Sequence, residues 1–430
     1  MTDLHQLAVM LKQLDDQMVT CMKCGMCQAV CPVFRETLRE ADVTRGKIAL
    51  LENLAHEMVA DAAGVKEKLN KCLLCGSCQA NCPSGVRIID IFLNARIIVN
   101  TYMGLPAAKK VIFKGMLTKP GLFNGLLSMG QKFQGIFTSP ADELLGSSCS
   151  KIMSPLIGDR HFLPLAKKPF RKMVSTVDTC AGKSGLKVAF FPGCVIDKML
   201  PRVGVAVLEV LMHHNVGIFL PSGQACCGIP AISSGDGESF AKLVELNVKA
   251  FAKGDYDYLV TACGTCTATI KEIWPKFLDR FPSDIQSQVR QMADKAMDIN
   301  QFLVDKVGID TQPAATGGTR VTYHDSCHLK KSLGVTDQPR TLLKANPACN
   351  FVEMNEADQC CGNGGTFNLH HYDVSKKIGD RKRENILASG ADVVTAGCPA
   401  CMMQLTDVLS RHGDRIRVQH PVEIYAQGLN

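Results

Sequence analysis

The chain has 430 residues, 46% of them hydrophobic, and a formal charge of +7. That is enough apolar material for two or three cored domains, and it excludes a disordered chain. The charge is spread out, with no lysine or arginine block of the kind that tracks phosphate backbones, so no nucleic-acid partner is expected. The chain has 21 cysteines, far above ordinary usage, yet it is too large to need a disulfide framework. Met1 to His5 show no secretory pattern, so a cytoplasmic, reducing compartment is expected, with peripheral contact at the inner face of the cell membrane left open. There, clustered cysteines read as metal ligands. The most apolar stretch, Val203 to Leu220, is broken by Glu209, His213, His214 and Asn215, so no membrane span is expected.

Residues 1–100 are read as a mostly α-helical, ferredoxin-like domain. They hold Cys21-x-x-Cys24-x-x-Cys27-x-x-x-Cys31-Pro32 and Cys72-x-x-Cys75-x-x-Cys78-x-x-x-Cys82-Pro83. Three thiolates at three-residue intervals wrap one side of a 4Fe-4S cube, and the cysteine before proline ligates the other cluster of the pair. One cluster is therefore expected on Cys21, Cys24, Cys27 and Cys82, and a second on Cys72, Cys75, Cys78 and Cys31. A pair of zinc knots gives no reason for the repeated Cys-Pro ending. Between the motifs Thr44 reads as the N-cap of a helix carrying Ile48, Leu51, Leu54, Ala55 and Met58. Arg45 and Lys47, at its start, face either cluster charge, a partner or solvent.

Residues 101–182 contain only Cys149 and Cys180, and basic and apolar residues interleave there, as in Lys109 to Lys114 and Lys167 to Lys172. A connecting segment of short helices is expected, the sharper alternative being a surface for anionic lipid or a membrane subunit.

From about residue 183 the chain repeats itself. Strands at Leu186 to Phe191, Ile218 to Leu220 and Tyr258 to Thr261 alternate with helices, one through Val205, Leu208 and Met212 and one through Phe240, Leu243, Val244, Asn247, Val248 and Phe251. The second copy has strands at Arg320 to His324 and Asp392 to Thr395. Corresponding cysteines lie 133 to 135 positions apart. Two α/β domains with largely parallel sheets are expected, over 183–315 and 316–430. Each places one cysteine after a first strand, a Cys-Cys-Gly, and a C-x-x-C after a third strand. The sets are Cys194, Cys226, Cys227, Cys263, Cys266 and Cys327, Cys360, Cys361, Cys398, Cys401. In a parallel sheet these positions share the carboxyl ends of the strands, where open α/β folds bind ligands. Five sulfur donors favour an unusual iron-sulfur centre; zinc on four of them, or a dithiol-disulfide pair, are the alternatives.

The order of two ferredoxin motifs, two Cys-Cys-Gly domains and a terminal His420-Pro421-Val422-Glu423 resembles a known family: the iron-sulfur subunits of glycolate and lactate dehydrogenases, the corresponding cysteine-rich subunit of anaerobic glycerol-3-phosphate dehydrogenase, and heterodisulfide reductase. Arg45-Gly46-Lys47-Ile48 and Cys82 to Val86 look closest to the glycolate and lactate branch. The resemblance implies noncubane 4Fe-4S clusters at one or both five-cysteine sites, with zinc allowed in one. No glycine fingerprint opens a helix after a strand; Gly362-Asn363-Gly364-Gly365 and Gly235-Asp236-Gly237 are the nearest approaches, so no flavin or NAD of its own is expected. The function this implies is electron transfer from an FAD-containing dehydrogenase subunit toward a quinone or another carrier. The alternatives are a catalytic subunit like heterodisulfide reductase and the glycerol-3-phosphate branch. His324, His328, His370 and His371 lie near cluster motifs as candidate proton relays, or as histidines satisfying local hydrogen bonds. Cys149, Cys180 and Cys349 fall outside every motif.

Overall fold

The computed structural model describes residues 4–151, 158–313, 315 and 317–429. They form two compact units. The first comprises Met1–Met116, Gly228–Phe240 and Gly362–Ile378, and the second takes Leu117–Cys227, Ala241–Cys361 and Gly379–Asn430. Each inserted stretch of the first unit begins at the glycine of a Cys-Cys-Gly motif. Gly228 and Gly362 have φ of +96° and +94°, and a Cβ there would lie 2.7 Å from the Phe240 ring and 2.7 Å from the Ser375 carbonyl, respectively. Only glycine fits both the left-handed turn and the close approach.

The first unit is helical around an apolar core that includes Leu7, Leu11, Ile48, Leu51, Leu54 and Phe92. The helix between the cluster motifs runs Thr44–Ala55. Two details differ from expectation. Val43, not Thr44, is the N-cap, so Thr44 is the first helical residue; Met58 lies beyond the helix end and is exposed. The apolar repeat overran the helix because one exposed methionine cannot hold a further turn.

The described residues of the second unit form three sheets. In the connecting segment the expected short helices form at Ala107–Lys110 and Phe170–Met173, and with them an 18-residue helix, Pro120–Phe137, and a small antiparallel sheet of β1 (Thr138–Asp142), β2 (Ser147–Ser150) and β3 (His161–Phe162). Its short serine-rich strands have no alternation to reveal them; they are held from outside, the His161 amide donating to Asp407 Oδ1 at 2.9 Å. The same segment gives β4 (Val177–Asp178), antiparallel to an edge of the first repeat's sheet.

That sheet has the order β4-β6-β5-β7-β8, with β5 (Lys187–Phe190), β6 (Gly217–Leu220), β7 (Tyr258–Thr261) and β8 (Ala296–Asp298) parallel. The second repeat's sheet, β10-β9-β11-β12, is wholly parallel, from β9 (Thr319–His324), β10 (Cys349–Phe351), β11 (Val393–Ala396) and β12 (Arg417–Gln419). In both, the chain leaves the central strand to one side and returns on the other. That reversal opens a crevice at the carboxyl ends of the central strands. The helix Pro201–His213 forms as expected and buries the predicted Leu208 together with Val203, Val207, Val210 and Leu211, but leaves Val205 half-buried and Met212 exposed, so its inward face is rotated from the predicted one. The predicted face of Gly237–Phe251 is buried throughout.

Candidate iron-sulfur sites

The two ferredoxin loops share one backbone pattern. Lys23 and Leu74, each third in its loop, have φ of +56° and +52°, and Gly25 and Gly76, each fifth, are left-handed too. Non-glycine residues adopt this conformation at a cost. Its recurrence at matched positions turns the main chain around a common object. One cavity is lined by Cys31, Cys72, Cys75 and Cys78; another by Cys21, Cys24, Cys27 and Cys82, and by Cys78 as well.

Burial pushes the Cys31 thiol up to about 12 and raises Cys78 as well. Such thiols stay protonated at neutral pH unless a cation replaces the proton, which is what iron does. The donors present therefore fit 4Fe-4S clusters. Cations stand beside one cavity. Lys47 is buried, its ammonium bonded to the Asp42 carbonyl; burial lowers its pKa while the Cys72 and Cys31 sulfurs favour its charge. Arg96, also buried, donates to the Leu69 and Cys72 carbonyls at 2.6 and 3.1 Å. Arg45 instead bonds Glu40 at 2.7 Å and the Lys23 carbonyl at 3.2 Å, bracing the other loop.

In the second unit Cys194 follows β5 and Cys263 follows β7; Cys327 follows β9 and Cys398 follows β11. Thiol contacts run from Cys194 to Cys226, Cys227, Cys266 and Cys263, cross to Cys398, and continue to Cys401, Cys361 and Cys360. Cys327, the tenth of these residues, is buried and contributes to the field at Lys382. The two five-cysteine sites thus abut at Cys263 and Cys398. The Gly264 amide donates to the Gly397 carbonyl at 3.0 Å, and a Cβ on either glycine would sit 2.6 Å from Leu329. Thr265 Oγ1, from the first repeat, lies 3.2 Å from Cys398 Sγ and 3.0 Å from His328 Nδ1 in the second. Contacts from Cys263, Cys401 and Thr265 hold the Cys398 thiol well below its ordinary range, and contacts from Cys360 and Cys401 do the same for Cys361, while Cys226, Cys263, Cys266 and Cys401 are pushed up. Thiols this crowded and buried are the donor set of a metal centre.

Among the candidate histidines, His328 joins this boundary. His370 and His371 lie elsewhere, in a stretch grouped with the first unit, where His371 packs on Phe367. His420 caps the last helix, accepting from the Val422 amide at 3.1 Å, while Glu423 accepts from the His420 amide at 2.7 Å. Cys349 packs in the core of the second repeat's sheet, Cys149 sits in β2, and Cys180 is exposed. Sequence reasoning missed the buried Lys382 and the left-handed Lys23 and Leu74, for which residue type carries no signal.

Thiols converging at the switch points of duplicated α/β sheets, in a chain that also carries a double ferredoxin motif, define an iron-sulfur protein. The family model of the cysteine-rich domain matches residues 188–271 and 321–406, and that of the 4Fe-4S dicluster domain matches residues 17–86. The chain is 28% identical over 421 residues to the probable glycolate oxidase iron-sulfur subunit of Bacillus subtilis, covering 95% of this chain and 94% of that one. It is 28% identical over 400 residues to one subunit of the CoM/CoB fumarate reductase of Methanothermobacter marburgensis, 91% of this chain and 68% of the other. Lactate utilization protein A of Oceanobacillus iheyensis is 34% identical over 239 residues, 56% of this chain and 96% of the other. The chain belongs to this family of iron-sulfur proteins with a dicluster domain and paired cysteine-rich domains, two of whose members are named as subunits of a glycolate oxidase and of a fumarate reductase.

Proposed function

We propose that the chain is the electron-transfer subunit of a 2-hydroxy acid dehydrogenase complex acting on lactate or glycolate. A separate FAD-containing subunit oxidises the substrate, and electrons leave through this chain to a quinone or another carrier. The contiguous line of thiols from Cys194 to Cys360 carries the reading, since metal centres held on sulfurs this close together suit stepwise electron transfer. Names of relatives support the substrate class.

In this reading Cys21, Cys24, Cys27 and Cys82 hold one cubane, and Cys72, Cys75, Cys78 and Cys31 the other. Each five-cysteine set holds a noncubane cluster, with zinc as the rival occupant of one. Bound clusters supply one-electron transfer; the protein supplies the thiolates, buried cations and N–H donors that set their potentials. The segments 1–100, 101–182, 183–315 and 316–430 serve as the working domains.

The test is anaerobic mixing of the chain with a lactate- or glycolate-oxidising flavoprotein from the same genome. Cluster bleaching on addition of substrate is expected, and a chain that stays oxidised sinks the proposal. Metal analysis should give about 16 irons per chain; about 12 with one zinc moves one repeat to the rival. A second reading, a heterodisulfide reductase-like catalyst, is favoured by the abutment of the two sites and by the methanogen relative. It requires turnover of a disulfide with reduced viologen.

A further inference from the structure

Because the two five-cysteine sites are repeats, matched positions that differ expose what is particular to each. Strand register gives the match. Val188 of β5 pairs with Tyr258 of β7, and Val321 of β9 pairs with Val393 of β11, so the residue three places on is Phe191 in one repeat and His324 in the other. The Phe191 ring stacks on Phe251 at 5.5 Å, an apolar contact that the fold accepts without any polar group.

His324 is wholly buried, and neither ring nitrogen has a nitrogen or oxygen partner. One ring nitrogen, Cys361 Sγ and Cys401 Sγ all lie within 4.8 Å of one another. The polar group that the ring does meet is a sulfur, the Cys361 thiol, whose pKa the contact helps to lower. A buried imidazole set among thiol sulfurs at this spacing has the donors of a mixed nitrogen and sulfur metal site.

A second difference has the same sign. In the first repeat, main chain at the cysteine pair is held by a neutral amide: Asn247 accepts from the Ala225 amide and donates to the Cys226 carbonyl, both at 2.8 Å. In the second, Lys382, 22 positions after Cys360 where Asn247 is 21 after Cys226, donates from a buried ammonium to the Glu356 and Ala357 carbonyls, just before the pair, at 2.6 and 3.2 Å. The second site thus has an imidazole and a buried cation where the first has a phenyl ring and an amide.

We propose that His324 is a ligand of the metal centre at the second five-cysteine site, so that the duplicated sites hold inequivalent centres, the second with the higher reduction potential. The proposal rests on that site holding iron. A neutral nitrogen donor and a nearby cation both favour the reduced cluster, as histidine ligation does in Rieske-type centres. Electrons shared between the abutting sites then rest on the second.

The test uses the full chain, prepared anaerobically with 15N-labelled histidine, and pulsed EPR of its clusters across a redox titration. The expected result is the strong 15N coupling of a directly bound nitrogen on the highest-potential centre. In His324→Phe, which copies the first repeat, that coupling should vanish and the midpoint should shift downward, with the two ferredoxin-type signals unchanged. Iron at full complement with no 15N coupling, or coupling that survives in His324→Phe, overturns the proposal. The wild-type label reads out even if the variant does not fold. If zinc replaces iron at this site, the iron reading fails separately. X-ray absorption at zinc then decides: a shell containing nitrogen keeps His324 as ligand, and an all-sulfur shell removes it.

Discussion

Lys47 shows how one side chain can differentiate two clusters built from the same motif. Its ammonium is buried beside Cys31 and Cys72, and the matching environment around Cys21 to Cys27 has the exposed ion pair Arg45–Glu40 instead. A buried cation next to a cluster stabilises the added electron far more than one in water. Lys47→Met should therefore lower the midpoint of the cluster proposed on Cys72, Cys75, Cys78 and Cys31 by on the order of 50 mV, leaving the other within about 10 mV. EPR-monitored titration of both clusters checks it. His420 gives a second prediction at this scale. Burial pulls its pKa from the ordinary value down to about 3, so the native state keeps it neutral while the unfolded chain protonates it. Above the unfolded pKa the ring is neutral in both states and costs nothing; as pH falls below it toward the folded value, the unfolded chain takes up a proton that the fold refuses, and stability drops. Acidification from pH 6 to pH 5 should cost about 1 kcal/mol through this residue alone. His420→Asn, which can still cap the helix, should lessen the slope in urea melts.

At the scale of elements, the contact between the two C-x-x-C turns depends on Gly264 and Gly397 lying against Leu329. Gly264→Ala should force Leu329 aside and cost about 1–3 kcal/mol, with perturbed spectra from both five-cysteine sites and unchanged ferredoxin-type signals. Helix Pro120–Phe137 is another element whose character is set by its exposed side. Leu122, Leu126, Met129, Phe133 and Ile136 recur along one exposed stripe. From Tyr102 through Ala141 the chain carries five lysines and no acidic residue. An apolar stripe beside lysines is the pattern of a helix that would lie on an anionic lipid surface; no single helix among the described residues is long and apolar enough to cross a membrane. The expectation is co-sedimentation with vesicles of anionic lipid, reduced at least tenfold in Leu126→Glu/Phe133→Glu and by high salt.

For the whole molecule, exposure grades the cysteines. Cys24 is exposed and the other seven ferredoxin-type cysteines are half-buried, whereas nine of the ten in the duplicated half are buried, Cys194 alone being half-buried. Oxidant reaches sulfur and iron in that order. Timed exposure to air should release about 8 irons in a fast phase and the remainder slowly. Mass mapping of newly alkylated cysteines should find residues 21–82 modified first; simultaneous loss from both halves would contradict the gradient.

Spacing alone determined the chemistry of this protein. Cysteines at three-residue intervals before proline, and the same five-cysteine pattern 133 to 135 positions later, specify iron and sulfur and a duplicated parallel α/β fold, because ligand geometry and strand period are local properties. The shifted inward face of Pro201–His213, the strands of the connecting segment and the true cap at Val43 were not legible, because each depends on what packs against it. The meeting of Cys263 with Cys398, and the placing of His324 against Cys361 and Cys401, belong wholly to the tertiary structure. They join residues far apart in the chain through strand order and close packing. No residue records in its own type which distant neighbour it will touch.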